Sequence, residues 1–479
     1  MPQFILQNEP KRGKYTSTLL PIYFNIYDNF PTTVNIIARC FYINPTSGNV
    51  IQVGGDYRLA PATDSVDNFL FDASEVYNNL TKWRLSDWQG NVEYGHTWSN
   101  SYDAGIYWQG IATFECYVKF FQEELNTTTG LVEVDYSNFV ESKRFYVHEG
   151  CPETSWLRGV VQSNGNLNSN NALQYFRSYL TNGRYGRWLT NYPITQDAIN
   201  RTFSDVTIHE NERYLLWTLV KSDGTETICK QKLVLNTFDG INLLETRDWI
   251  VLDQGLGFVI DHLFSVSVGF QDIKDCFTPT TNEGTNWENV TDYKIAWQLC
   301  SLDGTDCDDC NVSATIYRFK VKRGCVGKGY KRFAFKNMLG GYDLVSSFGS
   351  VVEKNKITTN DYTKTTGFFG WDNAMDYGRI NYQSDQEEIT EVVTHPMRVN
   401  MAQHFAEMFN STDVYLRVDN DTSKKVDVPS IATQNEEQPH YFIPIRIIPG
   451  TFETTRTTNG FVKLKFSFQK SINQRNPRM

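Results

Sequence analysis

The stretch GFVKLKFSFQ, residues 460–469, sets Val462, Leu464, Phe466 and Phe468 at every second position, with Lys463, Lys465 and Ser467 between them. A period of two gives a strand one apolar face and cannot give a helix one. Looser versions recur along the chain. LLPIYFNIYDNF (19–30), TVNIIARCFYIN (33–44), GIATFECYVKFF (110–121) and VEVDYSNFV (132–140) occupy the first part. RYLLWTLVK (213–221), TICKQKLVL (227–235), GFVIDHLFSVSVGF (257–270), DYKIAWQL (292–299) and ATIYRFKVK (314–322) follow. PTSGN, KSDGTE and SLDGTD stand between such runs and predict turns, the two Asp-Gly steps as hairpins. Aromatic residues are 14% of the chain, a composition suited to pleated, half-buried surfaces. The expected fold is mainly β with minor α: tandem β-sandwich domains, Ig-like or jelly-roll-like, with a helical connector.

Helical spacing is confined to three places. FDASEVYNNL (71–80) predicts a short helix capped by Asp72, with Glu75 placed to reach back. NALQYFRSYLTNG sets Leu173, Phe176 and Leu180 on one side ahead of Gly183. PMRVNMAQHFAEMFNS sets Met401, Phe405, Met408 and Phe409 on another, with His404 read as a polar residue beside that stripe. The expected division is an N-terminal sandwich over 1–150, a connector or inserted arm over 151–204, a second sandwich over 205–350 and a C-terminal α+β domain over 351–479.

The charge balance, 45 basic against 55 acidic residues, offers no basic stripe for wrapping a nucleic-acid backbone. No 18-residue apolar run and no signal-peptide pattern occur, so a soluble, unexported protein is expected. Neither G-x-x-x-x-G-K-[ST] nor a full G-x-G-x-x-G is present; Gly340-Gly341 and the GLG at 255–257 both run into strand-like sequence. There is no H-E-x-x-H and no G-x-S-x-G, and Glu387-Glu388 are neighbours that face apart. Cys307-x-x-Cys310 has zinc-ligand spacing, with Cys300 and Cys325 nearby, but a second close pair is missing, and an acidic hairpin tip with free thiols is the favoured reading. No catalytic, cofactor-binding or metal residue is assigned. The aromatic, glycine-rich loops 183–193 and 367–382 are candidates for either a protein interface or a glycan site.

RGCVGKGYKRFAFKNMLGGYDLVSSFG carries the most specific likeness to known proteins. It resembles a segment of structural tail, collar and ring proteins of crAss-like and related tailed phages that infect Bacteroidetes-type hosts. The matching positions are Phe335, Asn337, Leu339, Gly340, Gly341, Tyr342 and Asp343. PIYFNIYDN with FLFDASEVYNNL, and STDVYLRV with the closing GFVKLKFSFQKSINQRN, resemble the beginning and end of such proteins. Lys336 departs from the pattern, which puts an aromatic or aliphatic residue there. The resemblance implies a virion component made in the host cytoplasm, with no enzyme activity. It implies self-association into a closed ring, neighbouring portal or tail proteins as partners, and passive contact with packaged DNA. It also implies that the glycine pair is a tight turn requiring positive φ. Two other classes compete: a tail-tip protein binding host glycans, and a polysaccharide depolymerase, which needs two carboxylates about 5–10 Å apart.

Overall fold

The computed structural model describes residues 5–10, 15–18, 21–28, 33–44, 48–62, 68–81, 106–108, 113–150, 190, 194–196, 202–204, 207–210, 215–219, 230–253, 263–270, 273–274, 287–300, 317–324, 329–364, 378–419 and 440–470. The protein is mainly β with minor α, in keeping with tandem β-sandwich domains. It divides into two compact units, one of residues 1–324 with 336–343, the other of 325–335 with 344–479.

The first unit begins with a sandwich. A sheet of three strands, Ile5–Asn8, Tyr23–Tyr27 and Asn68–Asp72, shares a core with a sheet of six built on Thr33–Ile43 and Thr113–Leu125. Alternation supplies that core from both sides. Phe24 and Ile26 meet Ile36, Ala38 and Cys40, then Phe114, Cys116, Val118 and Phe120. The Phe24 ring lies 5.5 Å from that of Phe120 and 6.0 Å from that of Phe145. Burial pushes the Cys40 thiol up to about 12 and the Cys116 thiol well above its ordinary value, which keeps both neutral. The PTSGN turn closes as expected, with Gly48 at φ 69° donating its N–H to the Asn44 carbonyl at 2.7 Å.

The short helix forms at Ser74–Thr81. Asp72 accepts the N–H groups of Ser74 and of Ile22, both at 2.9 Å, so one carboxylate caps the helix and ties it to the neighbouring strand. The buried Tyr77 hydroxyl donates to the Tyr117 carbonyl at 2.8 Å, so its polar end is satisfied inside the core.

A five-stranded sheet of the first unit runs Thr207–His209, Tyr317–Lys322, Asp292–Cys300, Lys230–Asp239, Asn242–Asp253. Asp292–Cys300 and Tyr317–Lys322 pair antiparallel, the partners expected around SLDGTD. KSDGTE itself lies outside the described residues, and the described strands on either side of it do not pair with each other. Leu215–Leu219 pairs with Leu263–Ser267 in a separate sheet, while Lys230–Asp239 pairs with Asn242–Asp253. The turn that closes is Asp239-Gly240-Ile241-Asn242, with Gly240 at φ 55°. An Asp-Gly step marks a turn locally, but which strands it joins is decided by the faces they can bury.

The connector over 151–204 lies outside the described residues, its expected helix included. The exceptions are Thr190 and the antiparallel strands Ile194–Gln196 and Thr202–Ser204.

The second unit is built on one eight-stranded sheet. Along it lie Tyr342–Ser347, Lys331–Lys336, Val414–Asp419, His440–Ile447, Val462–Lys470, Gly378–Val393 and Ser350–Lys364, with Glu453–Arg456 paired to Val462–Lys470. Val462, Leu464, Phe466 and Phe468 are all buried. The helix Val399–Glu407 and a following 3-10 turn pack Phe405 and Phe409 against Phe466.

His404 is not beside the buried stripe but within it, its ring 5.6 Å from that of Phe335. Glu407 comes within 4.0 Å of its Nδ1, yet burial dominates and pushes the imidazole down to about 3. A folded-state value below the unfolded one means stability present above the unfolded value, about 6.5, and lost as pH falls toward the folded one. We expect acid to destabilise the second unit over that window by up to about 1.4 kcal/mol per pH unit. Replacement His404→Leu should remove that slope, as read from the difference between the two proteins' urea midpoints at successive pH values. Parallel pH profiles would refute it.

Candidate functional site

Two arrangements in the first unit carry specific chemistry. One is the glycine turn. Lys331–Lys336 ends at Asn337, whose side-chain oxygen accepts the N–H groups of Leu339 at 2.9 Å and Gly341 at 3.1 Å. The Asn337 N–H donates to the Gly341 carbonyl at 2.9 Å, and Tyr342–Ser347 begins directly afterwards. Gly340 sits at φ 86°, in the left-handed region that a side chain disfavours.

The turn packs on residues 148–150. A Cβ on Gly340 would collide with the Glu149 carbonyl oxygen and stand 2.9 Å from both the carbon of that carbonyl and His148 Nε2. A Cβ on Gly150 would collide with the Leu339 carbonyl in turn. His148 Nε2 donates to that same Leu339 carbonyl at 3.0 Å. Lys336 Nζ makes a buried ion pair with Glu149. The lysine at 336, out of place in an apolar strand, has a defined partner: its ammonium pairs with the Glu149 carboxylate seated beside the turn. No phosphate or nucleotide could take the place of the Glu149 backbone without unpacking it, so the pair of glycines is architecture.

The second arrangement is the outward face of the six-stranded sheet. Alternation directs Arg39 and Phe41 on one strand, and Tyr117, Lys119 and Phe121 on its neighbour, away from the core. Arg39 pairs with both oxygens of Asp56, at 2.5 and 2.7 Å, and its guanidinium lies 4.2 Å from the centre of the Tyr136 ring. Lys119 lies 4.2 Å from the centre of the Phe139 ring, and Phe41 stacks on Tyr117 at 5.2 Å. Hydrogen bonding from Arg39 holds the Asp56 carboxyl below its ordinary range, and Arg58 does the same for Glu123. The Arg39 guanidinium and the Lys119 ammonium thus lie on ring faces, a favourable cation–aromatic arrangement. Tyr136 and Phe139 stay partly open to solvent.

The residues singled out from sequence fare unevenly. Cys300 closes the strand Asp292–Cys300, whereas Cys307, Cys310 and Cys325 lie outside the described residues. Among the described residues no three or more His, Cys, Asp or Glu side chains gather as a metal site would require. Of loop 183–193 only Thr190, which is buried, is described. Of 367–382, residues 378–382 belong to the strand Gly378–Val393 and the rest lie outside. The Glu149–Lys336 pair and the cation–aromatic face escaped sequence reading. Period-two alternation marks Tyr117, Lys119 and Phe121 as one face, but only strand pairing brings Arg39 and Tyr136 to it.

No family model and no curated protein matches this chain. Among solved structures it is similar to a marsupial T cell receptor, with 10% identity over 82% of this chain and 97% of that one, at a TM-score of 0.19. It is similar to the native E. coli alpha-2-macroglobulin with 9% identity over 95% of this chain and 24% of that one, at a TM-score of 0.18. It is also similar to CBD12 from CALX1.2, with 7% identity over 65% of this chain and 97% of that one, at a TM-score of 0.16. Likenesses this distant carry no argument about function.

Proposed function

We propose that the protein is a virion structural subunit, one member of a tail or collar ring that extends the DNA conduit between portal and tail end and docks the neighbouring tail proteins. The reading rests on the resemblance around Gly340-Gly341, and one observation supports it most. The glycine pair, the feature in that segment open to a chemical reading, is packed backbone to backbone against Glu149 and Gly150. It works by shape. In such a ring the sandwich domains contribute bulk and wall, and identical subunits close through a contact between unlike surfaces. No helix among the described residues is long and apolar enough to cross a membrane.

Cryo-EM of particles carrying this chain tests the reading. We expect its density as a closed ring on the tail axis; separate knobs or fibres at the distal tip would overturn it. A glycan-binding role draws on the exposed Tyr136 and Phe139 rings. It would show as saturable glycan affinity of the isolated protein, lost in Tyr136→Ala.

A further inference from the structure

The strands Ser350–Lys364 and Gly378–Val393 pair along their whole length, from Ser350 opposite Val393 to Lys364 opposite Gly378. The rest of their sheet keeps them company at one end only. Val462–Lys470 pairs with residues 389–393 and with none of 378–388. Among the described residues, 355–364 and 378–388 therefore run on as a ribbon two strands wide, for about 34 Å at ~3.4 Å per residue. A two-stranded ribbon standing alone in water is marginally stable, and its outer edges present unused N–H and C=O groups. Its sequence, EKNKITTNDYTK over 353–364, has too few apolar residues to hold it by burial. Backbone pairing with another strand is the interaction such an element is built for.

The first unit offers an edge of comparable length. Asn242–Asp253 ends the five-stranded sheet and pairs, among the described residues, with Lys230–Asp239 alone. Its register is regular from Glu245 to Ile250. Next to that run, Ile241, Leu243 and Leu244 are 70%, 56% and 41% exposed, an uncommon cluster for a strand that has an open edge among the described residues. Lys354 and Lys356 of the outer ribbon strand pair with Glu391 and Glu387 of the inner one, so backbone pairing rather than charge would join the two edges. The other long edges of the first unit fit less well. Val50–Leu59 is interrupted at Gly54-Gly55, and Val132–Glu141 slips register opposite residues 121–123.

We propose that the Ser350–Lys364 strand of one copy adds as a further strand to the Asn242–Asp253 edge of a second copy. Donor and acceptor are different surfaces, so the contact is head to tail and can propagate around a closed ring. The inference rests on the ring reading above and names its interface.

Sedimentation velocity of the full chain and two variants tests it. In the first variant an Asn-Gly turn replaces residues 357–386, because Lys356 and Glu387 are already paired and Asn-Gly suits a two-residue hairpin. The second is Leu243→Asp, at an exposed position. The parent chain should self-associate, and each variant alone should sediment as a monomer. Mixed, they should form a one-to-one dimer, because one keeps the edge and the other keeps the arm. That complementation also shows that neither variant is merely misfolded. A short-arm variant that assembles like the parent, or a mixture that stays monomeric, would overturn this interface and leave the ring reading standing. A parent chain that is monomeric at all concentrations would overturn the ring reading and the interface together, and would leave an arm folded back on its own chain.

Discussion

Replacing Gly340 by alanine is expected to destabilise the first unit by about 3 kcal/mol or more. Two costs add. The residue stands at φ 86°, where any Cβ is strained, and that Cβ would have to enter the space of the Glu149 carbonyl. The nearest obstacle, the Glu149 carbonyl, is backbone, so no rotamer change relieves it. Gly450→Ala provides the control. Gly450 has φ 78°, but nothing lies within 4 Å of a Cβ there, so only the conformational cost of about 1 kcal/mol should appear. Chemical unfolding measures the two, followed by a probe in the first unit for Gly340→Ala and by one in the second unit for Gly450→Ala, because the units need not unfold together. Equal losses would show that the contact with Glu149 contributes nothing.

The second large effect concerns the ion pair. Lys336→Met should cost about 3–5 kcal/mol, because it leaves the Glu149 carboxylate buried without the cation that offsets its lost hydration. Glu149→Gln should cost a comparable amount by stranding the ammonium. The double variant Lys336→Met with Glu149→Gln should lose less than either single one, since no uncompensated charge is left inside. Additive losses in a double-mutant cycle would show that the two groups are not coupled.

These two sites also mark how far the sequence could be read. The β architecture was legible because it is written locally: alternation at Val462 to Phe468, the turn at Gly48, the cap at Asp72. The glycine pair was legible as a turn for the same reason. What it turns against was not, because Glu149 and Lys336 are 187 residues apart and nothing in either neighbourhood announces the other. Lys336 looked like an irregularity within its own strand and becomes intelligible only beside Glu149. The Asp-Gly steps show the same boundary. KSDGTE and FDGIN carry the same Asp-Gly step, yet only the strands that flank the second pair with each other. His404 was misplaced because a lone histidine at helical spacing carries no sign of which side of the stripe it falls on.

The ion pair and the Gly340 contact also imply an order of events in folding. Residues 336–343 complete a unit whose other members all lie at or before Gly324. Joining points 187 residues apart in an open chain costs about 4–5 kcal/mol of loop entropy, more than one such pair returns. The cost falls once the intervening sheets have formed and drawn the ends together. The early sheets are therefore expected to form first and the Gly340 turn to close onto Glu149 last. Until then the first unit lacks its final clasp.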